Sequence, residues 1–180
     1  MRYKYQMQKR RAEFLKERDQ KRLRSLHGEK LVAAISRATG KPLSLDDFRS
    51  DSKLPPIDWP TDIRKASGLV SAYISKSSAD ELLKCVRDKL SALNGQIGFH
   101  DKPYLGFAKV HEIDPLSLIA VSEATEDSAV FYSAIPKGIL MVDFYKSQPS
   151  EPFSIVAQGI KLVQKLSFCF PVQCKGEADD

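Results

Sequence analysis

The first 27 residues contain neither glycine nor proline and are drawn mostly from strong helix formers, Lys, Arg, Gln, Glu, Leu, Ala and Met. Such a run predicts a helix that ends near Gly28 and extends roughly 40 Å at about 1.5 Å per residue. The same run concentrates charge. From Met1 to Lys41 there are 13 Lys or Arg against 4 acids, and the rest of the chain carries 15 against 19. The formal charge of +5 therefore divides into a basic arm at +9 and a mildly acidic body at −4, an asymmetry that points to an anionic partner.

Placing the arm's residues at steps of about 100° gathers Tyr3, Met7 and Phe14 into one stripe, with Arg10, Arg11, Arg18, Lys21 and Arg22 on or beside it. Glu13 and Asp19 lie away from that stripe. Ala12, Leu15, Leu23 and Leu26 form a second face, suited to packing on the body. Glu17 stands four residues before Lys21, a pairing that supports a helix by roughly a few tenths of a kcal/mol. An apolar seam bordered by cations suits nucleic-acid phosphates, an acidic surface on another protein or an anionic membrane. The seam is too narrow for the membrane, which calls for a wider continuous face of Leu, Phe or Trp. The competing reading is a solvated helix whose seam packs on its own domain.

With 42% hydrophobic and 28% charged residues in 180, the remainder suits one globular body large enough to stand without staples. Cys85, Cys169 and Cys174 form no metal-binding series, and an odd number of cysteines without a secretory signal predicts a reducing compartment. The opening MRYKYQMQKRR lacks the apolar centre of a signal peptide, and no apolar run approaches the length of a membrane span. The expected setting is cytoplasmic.

Residues 29–39 read as a short second helix, with Leu31, Ala34, Ile35 and Ala38 at helical spacing and Gly40 as its stop. The division that follows is a basic helical arm over 1–41, a Pro-rich connecting loop over 42–60, a body over 61–172 and a polar tail over 173–180. Trp59, the only tryptophan, ends the loop and is a candidate anchor for a partner, although such a residue ordinarily pins a loop to the core. Helices are predicted over 62–75, capped by Thr61, over 78–93, with Ser78 and Glu81 at capping-box spacing and Asn94-Gly95 as the stop, and over 160–168. Short β-branched or aromatic runs predict five strands, at 105–112, 116–122, 129–135, 138–146 and 153–158. The links between them are too short for parallel crossovers. The fold class is accordingly α+β, an antiparallel five-stranded meander covered by helices on both faces and carrying a long basic N-terminal helix.

No phosphate-cradling glycine loop, helical histidine pair, paired cysteine motif or glycine-flanked serine occurs. His100 beside Asp101 and His111 beside Glu112 are the nearest approach to an acid–base couple, but neighbours on a strand point to opposite faces. Asp143 interrupts an apolar strand, which calls for a structural hydrogen bond or access to water. No catalytic residue, metal or cofactor is expected. The sequence predicts a nonenzymatic binding protein whose arm engages DNA or RNA through Arg10, Arg11, Phe14, Arg18, Lys21 and Arg22, within a larger complex. The alternative is a protein-binding inhibitor or toxin-neutralising immunity protein.

Overall fold

The structure is a computed structural model, and it describes residues 2–49, 69–100, 102 and 104–171. A single helix, α1 (Arg2–Thr39), takes the place of the two expected before Gly40. Gly28 does not stop it, because a Cβ there would lie 2.8 Å from Cδ1 of Leu45. The glycine stays helical and makes room for the following segment, at a cost of about 1 kcal/mol relative to alanine. Gly40, in the left-handed region at φ +65°, ends the helix as its place in the sequence indicates.

The chain next makes a short 3₁₀ turn, Leu45–Asp47. The backbone N–H and the hydroxyl of Ser44 both donate to the Asp47 carboxylate at 2.8 Å, which holds that carboxyl below its ordinary range. Strand β1 (Phe48–Arg49) follows. Most of the Pro-rich connector, Trp59 included, lies outside the described residues, as do Asp101 and the tail.

The body departs from the sequence reading in three places. Residues 69–74, expected at the end of a helix, form β2 (Leu69–Ile74), paired along its whole length with a distant strand. Val70, Ala72 and Ile74 face the core at a period of two, while Tyr73, expected on the apolar face, is exposed. Helix α2 (Lys76–Leu90) starts at Ser75, whose hydroxyl accepts the Ser78 N–H, and stops at Ser91 rather than at Asn94-Gly95. That earlier stop releases β3 (Leu93–Phe99), which the sequence reading missed. After β4 (Phe107–Ile113), the segment LSLIAVS is not a strand but the start of α3 (Ser117–Thr125). Leu118, Val121 and Ser122 are buried at helical spacing, and Asp114-Pro115 opens the turn that leads in. The last three strands, β5 (Ala129–Ser133), β6 (Gly138–Phe144) and β7 (Phe153–Gln158), and the closing helix α4 (Ile160–Leu166) lie where expected.

The result is α+β with one antiparallel sheet of seven strands, in the order β1-β4-β3-β5-β6-β7-β2. Only β5-β6-β7 is a meander. Strand β3 lies between β4 and β5 and is antiparallel to both, so those two run parallel and need α3 as their crossover. The same logic makes β2 and β3 parallel across α2. The sequence reading counted five strands because β1 to β3 are short or open with helix-like punctuation.

All four helices contribute to the core on one sheet face. Leu31, Val32 and Ile35 of α1, Leu83 and Val86 of α2, Leu118 of α3 and Leu162 of α4 join Phe131, Leu140 and Ile155 there. The second face carries a smaller cluster, Val130, Ile139, Met141 and Val156, and no described helix residue belongs to it. Covering of both faces by helices is therefore corrected to one. Cys85 of α2 and Cys169 after α4 are joined in a disulfide spanning 84 residues, where reduced thiols were expected. Among the described residues no helix is long and apolar enough to cross a membrane.

Candidate functional site

Arg24 fixes where the arm leaves the body. Its guanidinium donates to the carbonyls of Leu105 and Phe48 at 2.6 Å and Leu45 at 2.8 Å, and reaches that of Tyr104 at 3.5 Å. An always-charged, planar donor suits a cluster of backbone acceptors that no strand partner satisfies. Below it, α1 packs on α3 and joins the core. Above it, the helix stands alone: every side chain from Arg10 to Asp19 is exposed. Met7 and Phe14 are 52% and 64% exposed.

Arg10, Arg11, Phe14, Arg18, Lys21 and Arg22 all fall on this free stretch, within an arc of about 120° around the axis. Arg22 is held by Asp19 at 3.0 Å. Arg10, Arg11, Arg18 and Lys21 make no ion pair with a described residue, and the anticipated pairing of Glu17 with Lys21 does not form. Leu15 and Leu26, expected to seat the arm on the body, are 44% and 63% exposed, so that second face is not a packing face. The arm meets the body only from about Gln20 on, where a cleft of about 680 Å³ lies between Gln20, Lys21 and Arg24 on one side and Arg49 and Tyr104 on the other.

A second feature, which the sequence reading missed, is a groove of about 860 Å³ on the helix-free sheet face. Its floor follows from the register. Lys109, Gln96, Tyr132, Ile139, Gln158 and Leu69 are successive cross-strand partners, so their side chains form one row from β4 to β2. Gly98 keeps this floor low, since a Cβ there would lie 2.5 Å from the Phe107 ring. That ring instead lies across β3 and meets Tyr132 edge-on at 5.1 Å. A bulge in β4 places Glu112 at φ +53° and returns Ile113 to the core, which leaves Lys109 and His111 both on the groove side. The Asn94 side chain fastens the bulge by accepting the Glu112 N–H at 3.1 Å.

Lys137 in the β5–β6 turn and Lys161 at the start of α4 complete the rim, with Ile160 beside them. No Asp or Glu lines the groove among the described residues. Lys109, Lys137 and Lys161 make no ion pair with a described residue. Burial pushes the Tyr132 phenol above its ordinary value, so it stays a neutral hydroxyl over the working pH range. The side-chain oxygen of Gln96 is buried without a hydrogen-bond partner.

The other candidates have structural accounts. Asp143 accepts from the Ser128 hydroxyl at 2.7 Å and from the Tyr145 phenol at 2.6 Å, which satisfies both carboxylate oxygens. His111 and Glu112 are exposed and separated by the bulge. No group of three His, Cys, Asp or Glu among the described residues could hold a metal ion. Comparison with protein-family models, with curated proteins and with solved structures finds no match.

Proposed function

We propose that this chain is a nonenzymatic nucleic-acid-binding protein, a subunit of a larger assembly, whose projecting helix lies along phosphates. The observation that carries the reading is the free stretch of α1: Arg10, Arg11, Arg18 and Lys21 on one face, solvent-exposed and without carboxylate partners in the body. A helix of this kind has no tertiary packing to hold it, and isolated helices of such length are marginal in water. Contact with a polyanion would stabilise it, because each neutralised phosphate also releases a condensed counterion.

Exposed Leu15 and Leu26 favour a second reading, in which the arm docks on an acidic surface of another protein. One pair of substitutions and one nuclease control separate the two. Arg11→Glu with Arg18→Glu should abolish the electrophoretic shift of a mixed-sequence duplex at low salt, irrespective of its sequence. A protein captured from native extract that stays bound after nuclease treatment, with no duplex shift by the parent chain, would replace the nucleic-acid reading with the second.

A further inference from the structure

The groove on the second sheet face makes three chemical demands of an occupant. Lys109, Lys137 and Lys161 converge from β4, the β5–β6 turn and α4 with no carboxylate lining the space between them, on a body whose net charge is negative. They call for an anion carrying more than one charge, since three ammonium groups are poorly neutralised by a single carboxylate. The floor, Tyr132 and Ile139 with Ile160 at the rim, is apolar and flat, which suits a planar ring. The buried Gln96 oxygen lacks a donor, and an unsatisfied buried acceptor is costly until an N–H or O–H reaches it. A fatty acid meets the second demand alone, and inorganic phosphate meets the first alone.

We infer that the groove binds a nucleotide, with its phosphate among Lys109, Lys137 and Lys161, its base over Tyr132 and Ile139, and a base N–H donated to Gln96. A cross-strand row offering a ring, an amide and flanking cations is the arrangement by which sheet surfaces hold unstacked bases. The volume, about 860 Å³, lies in the range of small-molecule sites. A free nucleotide and a nucleotide within a single strand present the same chemistry. The site is separate from the arm, so it stands or falls independently of duplex binding.

The test is an amide-resolved NMR titration of the full chain with the four nucleoside monophosphates, with a short single strand and with inorganic phosphate. Signals of Gly95, Gln96, Ser133, Gly138 and Gly159 should shift with nucleotide, and Gln96→Leu should weaken the effect about tenfold without lowering the melting temperature. Lys137→Glu with Lys161→Glu should do the same through the phosphate. An arm variant, Arg11→Glu with Arg18→Glu, should leave these groove signals responding as before. Equal affinity for monophosphate and strand would identify a free nucleotide as the occupant, and a markedly tighter strand would identify single-stranded nucleic acid. Absence of groove shifts, equal shifts with phosphate alone, or indifference to both groove variants would overturn the assignment, whatever the arm does with duplex.

Discussion

Two side chains carry more of the structure than their types announce. Arg24 satisfies carbonyls from two separate loops, so Arg24→Ala should strand them and cost about 2 to 4 kcal/mol, read as a lower urea midpoint with the arm's own residues unchanged. Tyr132 sits with its phenol pushed above the ordinary value of 10.0 by burial. A raised folded-state value means that the stabilisation is fully present below the unfolded value and fades as pH rises through the folded one. Thermal melting followed from pH 9 upward should therefore fall above about pH 10, and fall less steeply in Tyr132→Phe. Neither role was legible in the sequence. Arg24 looked like one more cation of the arm, and Tyr132 like one more aromatic in a strand, because their partners lie far away in the chain.

At the scale of elements, what the sequence makes legible follows from whether an element depends on distant partners. Helix α1 and the strands β5 to β7 come from local pattern alone. By contrast, LVSAYI and LSLIAVS are each compatible with helix and strand, and their fates are settled by pairing with β7 in one case and by packing beside α1 in the other. Missing β3 and β2 also hid the groove, since its row exists only in the register. The arm needed no register, which is why all six of its candidate residues fell together. The same helix divides energetically near Arg24: removing residues 1–22 should leave cooperative melting intact, whereas removing 1–60 strips Leu31, Val32 and Ile35 from the core and should abolish it. Val86→Asp, with a fully buried site on α2, should unfold either form by burying an unpaired carboxylate. A cooperative transition in a fragment starting at residue 61 would contradict this account of α1.

For the whole molecule, the parts make a body with one helix-covered face, one groove-bearing face and a charged rod of roughly 30 Å leaving at Arg24. The disulfide between Cys85 and Cys169 closes a loop of 84 residues, and its reduction should lower stability by about 4 kcal/mol on the chain-entropy account. Denaturant melts with and without reductant check that figure, and coincident curves would mean that the bond contributes nothing. Charge is the property that joins body and rod, because a mildly acidic body repels the polyanion that the rod attracts and leaves the contact to the helix. The most direct measurement is the salt dependence of duplex binding by the intact chain, followed by fluorescence anisotropy. Arg10, Arg11, Arg18 and Lys21, with Arg22 partly held by Asp19, should give a log-log slope of about −4, reduced by about two in Arg11→Glu with Arg18→Glu. A slope near zero, or no binding to DNA or RNA at low salt, would contradict the account.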